Sequence, residues 1–143
     1  MVTQMMRRWR DRGAAAVEFA LVVPILITLI FGAIEFGLYV QARTVLENAA
    51  REGVRVASLT ANGDSTANAQ IQAAAKAAIV GVAGTPTVTA TCATPAGVSC
   101  TIGAAKNGGN VATVKVVLNY TGVTGLFFTK TTLTASSYMR IEG

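Results

Sequence analysis

The distribution of apolar and polar positions divides this chain of 143 residues into three stretches of different period. Phe19 to Ile34 is a run of sixteen residues without a charge. Widened to Ala14–Val40, the apolar stretch predicts a helix of 27 residues, about 40 Å long and enough to span a bilayer core of roughly 30 Å. Pro24 removes the bond to the Ala20 carbonyl, so a bend is expected there. Thr44 to Ser58 continues the helical pattern with polar positions added. Glu47 and Arg51 form an i,i+4 pair, Arg55 follows on the same stripe, and Val45, Ala49 and Gly53 make a narrow face for a sheet to press against. Asn62–Ser65 reads as a turn, with Asp64 or Ser65 placed to cap a second helix. In that helix Ile71, Ala75, Ala78, Ile79 and Val82 recur at helical spacing until Gly81, Gly84 and Pro86 end it.

After Pro86 the period drops to two. Val88, Ala90 and Cys92 alternate, then Val98, Cys100 and Ile102. Ala112, Val114, Val116, Leu118 and Tyr120 give the clearest strand, with Thr113, Lys115 and Asn119 on its other side. Leu133, Ala135, Ser137, Met139 and Ile141 give the last. The expected fold is α+β: a long N-terminal transmembrane helix running into a small extracytoplasmic domain, with a second helix and an antiparallel sheet of about four strands. The implied division is a basic leader at 1–13, a membrane helix at 14–40 and an outer domain at 41–143.

Charge sharpens this picture. Residues 1–13 hold Arg7, Arg8, Arg10 and Arg12 against Asp11, a net +3 out of +5 for the whole chain. The positive-inside rule then puts the N-terminus in the cytoplasm and everything beyond Val40 outside. The folded part has no basic face of the kind nucleic-acid binding requires. The chain has no histidine, which removes His-dependent triads and zincins, and it has no phosphate-binding glycine loop; Gly108-Gly109-Asn110 reads as a turn. With its acids scattered, the chain offers no catalytic constellation, no metal or cofactor site and no small-molecule substrate pocket. Cys92 and Cys100 fall on one face of two consecutive strand candidates, and outside the cytoplasm a disulfide is the expected state. Gly125-Leu126-Phe127-Phe128 is an apolar loop tip. It either folds back over the core or, if exposed, forms a docking patch for another envelope component.

Two carboxylates need an explanation. Glu18 and Glu35 are separated by about 25 Å along a helix, near the two edges of the hydrocarbon. Glu35 marks the outer boundary of the span. Glu18 has two readings: a carboxylate snorkelling to the cytoplasmic headgroups, or one with a specific partner. The order of basic tail, Gly13, Ala14-Ala-Ala-Val-Glu18 and apolar run resembles the prepilin-peptidase site of type IV pilin-like proteins. In those proteins the leader is cut after the glycine and a glutamate at the fifth mature position helps register subunits. Cleavage would free an α-amine at Ala14 that Glu18, one turn away or on a neighbouring subunit, could neutralise.

Gly13-Ala-Ala-Ala-Val-Glu-Phe-Ala20, Phe31-Gly-Ala-Ile-Glu-Phe-Gly37 and Asn48-Ala-Ala-Arg-Glu-Gly-Val-Arg55 together resemble the TadE family of the Tad (Flp) pilus system. The likeness extends more weakly to Val111–Glu142. It implies a minor pilin or pseudopilin that works in the bacterial inner membrane, is cut by prepilin peptidase, and assembles with other pilins and Tad components in adhesion or secretion. Glu35 is a motif residue of that family without an assigned role. Two other readings of the chain are an uncleaved membrane-anchored protein whose outer domain binds an envelope partner, and a secreted module released by signal peptidase.

Overall fold

The computed structural model describes residues 2–60, 65–102, 109–125 and 127–141, with residues 2–12 described by backbone alone. The side chains of the leader arginines, Asn62, Asp64, Gly108, Leu126 and Glu142 therefore lie outside the described residues. The element order is α1 (Val2–Leu59), α2 (Ala67–Ala77), β1 (Thr87–Ala93), β2 (Ser99–Cys100), β3 (Val111–Tyr120) and β4 (Thr131–Arg140). The four strands form one antiparallel sheet, as expected, and their order in it is β2-β1-β3-β4.

A single helix carries both the apolar run and its polar continuation. Pro24 sits inside α1 without ending it, and the Thr28 hydroxyl donates to the Pro24 carbonyl at 2.7 Å. Beyond Val40 one side of α1 packs on β3 and β4, while α2 packs on α1 and β1. The buried stripe of α1 is Ala42, Leu46, Ala49, Ala50, Gly53, Val54 and Ala57. It is wider than the Val45–Ala49–Gly53 face and rotated from it; Val45 is only half-buried. Against it stand Ala112, Val114, Val116, Leu118 and Tyr120 of β3, all buried as the period-two pattern requires. Each large aliphatic side chain fully buried here, such as Leu46, Ile71, Val114 or Leu118, stabilises by about 1.5–3 kcal/mol.

Close packing explains a glycine in mid-helix. A β-carbon at Gly53 would lie 3.0 Å from Val114 Cγ1 and 3.2 Å from Ala75 Cβ, so Gly53 lets α1 approach β3 and α2 together. On the solvent side Arg43 and Arg51 flank Glu47 at 3.4 and 3.9 Å. Arg55 leaves that stripe and pairs with Glu52 at 2.6 Å, which holds the Glu52 carboxyl below its ordinary range.

Several local expectations shift. The N-cap of α2 is Thr66, one residue after Ser65. The helix stops at Ala77: the Ala78 amide makes the last helical bond, to the Ala74 carbonyl, and the Ile79 amide tightens onto the Lys76 carbonyl. Ile79 and Val82 therefore reach the core from the connecting segment rather than from the helix. β2 shrinks to two residues because the chain turns tightly between Thr94 and Val98, leaving Val98 exposed outside the strand. Met139, near the end of edge strand β4, stays partly exposed, whereas Leu133, Ala135 and Ile141 are buried.

Candidate functional site

Between Gly13 and Ile34 every side of α1 is open: apart from the half-buried Val23 and Gly32, each residue is exposed, although the run is almost wholly apolar. A helix apolar all round and uncovered by its own chain requires an apolar surrounding. The segment Gly13–Leu59 is the one helix among the described residues long and apolar enough to cross a membrane.

Glu35 breaks the pattern. It sits at the C-terminal end of this run yet is only 1% exposed, and the cover comes from the loop joining β3 to β4. Its carboxylate accepts the Thr124 hydroxyl at 2.9 Å, the Phe127 amide at 3.2 Å and the Gly125 amide at 3.3 Å. The loop is closed at its neck by the Gly122 amide donating to the Phe128 carbonyl at 2.7 Å. A β-carbon at Gly122 would lie 2.8 Å from both Glu35 Cδ and the Phe128 carbonyl oxygen, so only glycine leaves room for the carboxylate. Gly125 turns the tip with φ +66, a conformation glycine adopts without strain.

Aromatic rings complete the joint. Phe128 stacks on Tyr39 of α1 with ring centroids 4.6 Å apart and planes 4° from parallel, and Tyr39 meets Tyr120 edge-on at 6.0 Å. Burial first, and the nearby Glu35 charge second, push the Tyr120 phenol above its ordinary pKa. Phe127 lies one turn down α1, against Gly32, where a β-carbon would come 3.2 Å from the ring.

The expected apolar tip thus divides. Phe128 folds back into the core margin, Phe127 lies on the helix with 53% of its surface open, and Leu126 falls outside the described residues. Glu35 is more than a boundary marker. Local sequence pattern does not mark Gly32, Tyr39, Gly122 or Thr124 as parts of one joint. The available signal was a pair of glycines spaced around a threonine inside an otherwise charge-free, aromatic-tipped loop.

The remaining sites are simpler. Gly13 and Ala14 lie exposed within α1. Glu18 is exposed and has no hydrogen-bond or ion-pair partner among the described residues. Cys92 and Cys100 form a disulfide between directly opposed residues of β1 and β2, with Cα atoms 4.9 Å apart. No three His, Cys, Asp or Glu side chains among the described residues come together as a metal-binding group. Both Glu35 oxygens are already engaged by the chain's own donors, which suits a structural clasp.

Residues 13–55 match the family model of the TadE-like protein. This part of the chain is similar to the TadE-like family. The match takes in Gly13, Glu18 and Glu35 and the core stripe of α1 as far as Val54, and it ends before α2 and the sheet. Both carboxylates of the apolar run therefore lie within the TadE-like segment, one exposed and one clasped by a loop from outside it. No curated protein and no solved structure matches the chain.

Proposed function

We propose that the chain is a minor pilin or pseudopilin of a Tad-type (Flp) pilus, held by α1 in the bacterial inner membrane until it joins an assembly. The single observation that carries this reading is the bare apolar half of α1, TadE-like in sequence and continuous with a packed sheet domain. In the bilayer that surface faces lipid; in a filament it faces the same surface of neighbouring helices, so one helix serves both states. The role is structural rather than enzymatic. The leader arginines keep the N-terminus cytoplasmic and the sheet domain outside. Prepilin peptidase cuts between Gly13 and Ala14, and Glu18 neutralises the new amine within the assembly.

The N-terminus of protein purified from its native membrane tests the reading. Ala14 is expected. Met1 or Val2 would mean an uncleaved anchor, and a start beyond about residue 33 would mean a secreted module. Glu18→Val is expected to insert normally and to fail in assembly, measured as its absence from sheared pili. Normal incorporation of that variant would reduce Glu18 to an interfacial carboxylate.

A further inference from the structure

The loop that clasps Glu35 does so from a depth that loops seldom occupy. Gly32, on which Phe127 rests, lies three residues before Glu35, about 4.5 Å nearer the middle of the apolar run. From Thr121 to Thr129 the loop has no charged residue, and exposed Lys130 follows at once. Val123, at 77%, and Phe127 are open. Between the loop and the helix is an apolar groove of about 410 Å³, lined by Thr28, Leu29, Gly32, Ala33, Phe36 and both phenylalanines of the tip. The groove is continuous with the exposed apolar surface of α1.

Irregular backbone is costly in hydrocarbon because its amides lose water. Here the amides of Gly122, Gly125 and Phe127 and the Thr124 hydroxyl all have acceptors within the joint. The acid at the membrane edge is likewise satisfied by those donors. These bonds lower both costs together, and beside them the loop presents the open Val123 and Phe127 side chains and a lysine positioned to reach headgroups.

We propose that the β3–β4 loop is a second membrane anchor. Phe127 enters the outer leaflet beside α1, and the groove between them takes a lipid acyl chain. The inference rests on α1 crossing the bilayer. Its consequence is that the sheet domain is held at a fixed tilt on the membrane surface instead of swinging about the helix.

Full-length protein in phosphatidylcholine vesicles, with and without bromine on the acyl chains near the headgroup, tests this. Trp9 is the sole tryptophan, so a Trp9→Phe background isolates a reporter at Phe127→Trp, with Phe31→Trp on the apolar run as control. Both reporters are expected to emit to the blue and to lose comparable intensity in brominated lipid. Quenching at position 31 but not at 127, whether because water or a second copy covers the tip, would overturn the loop anchor and leave the spanning helix standing. Quenching at neither would remove the spanning helix and the anchor together. A measurement on unaltered protein guards against misfolding of the Phe127 variant. Lipids carrying an acyl-chain diazirine should label the tryptic peptide between Lys115 and Lys130 at Phe127, and an unlabelled peptide beside a labelled α1 would overturn the proposal.

Discussion

Gly122 and Glu35 share one small volume: the space a β-carbon would need at Gly122 is taken by the Glu35 carboxylate, whose Cδ would lie 2.8 Å away. The apolar helix and the sheet domain are joined at this point by fit as well as by hydrogen bonds. Because the acid is supplied by the helix and its donors by the loop, neither half of the joint is satisfied without the other.

Gly122→Ala should therefore force the loop off the helix. The cost expected is that of overpacking, about 1–3 kcal/mol, read from urea denaturation of the sheet domain in detergent micelles. Gly37→Ala, where nothing lies within 4 Å of the added carbon, is the control and should leave the midpoint unchanged or raise it slightly.

Glu35→Ala removes the acceptor of two loop amides and a hydroxyl. Leaving such donors without an acceptor costs about 1–3 kcal/mol. Hydrogen exchange should localise the loss to the Gly125 and Phe127 amides, with β3 still protected. In the double variant the Gly122→Ala penalty should fall, because the Glu35 atoms it collides with are gone and only the contact with the Phe128 carbonyl oxygen remains. Additive penalties would show that the two residues do not act as one joint.

Much of the architecture is written in local periodicity. β3 alternates over its whole length because one face meets helices and the other water, so Ala112 to Tyr120 can be read directly. The phase of α1 is harder. Alanine and valine occur on several of its sides between Ala42 and Ala57, and the sheet, rather than the helix, decides that Leu46, Ala50 and Val54 face inward. The end of α2 is obscured for a similar reason: its alanines favour more helix, while the chain must turn toward β1 after Ala78. The Glu35 clasp is illegible locally. Its partners lie about ninety residues away, and an acid at a membrane edge has an adequate one-dimensional explanation without them.

Gly53→Ala tests the packing of α1 on the sheet. Helix propensity alone favours the substitution by about 1 kcal/mol. The added methyl would press on Val114 Cγ1 at 3.0 Å and Ala75 Cβ at 3.2 Å, and overpacking costs about 1–3 kcal/mol. Net destabilisation is expected, with the loss shared between α2 and β3 in hydrogen exchange. A stabilised variant would mean that the layers can part by a few tenths of an ångström at no cost.

Cys92→Ser/Cys100→Ser opens a loop whose ends are eight positions apart. In the chain-entropy model the bond stabilises by about 2.5 kcal/mol. β2 has only two residues and pairs with β1 alone, so it should lose exchange protection first, while the β1–β3 ladder persists. Equal loss across all four strands would make the disulfide a support of the whole sheet instead of its edge.

Tyr120 links the joint to alkaline pH. Burial and the Glu35 charge both disfavour its phenolate, so its folded pKa lies above the unfolded value of about 10. Below pH 10 both states hold the proton and the contribution is constant. Above it the unfolded chain releases its proton first, so stability should fall as pH rises toward the folded value. Tyr120→Phe is expected to flatten that decline and to remove a late phase of phenolate absorbance. In Glu35→Ala the same phase should move to lower pH, because one of its two causes has been removed. If Glu35→Ala leaves the phase where it was, the carboxylate does not bear on Tyr120 and the aromatic cluster is independent of the clasp.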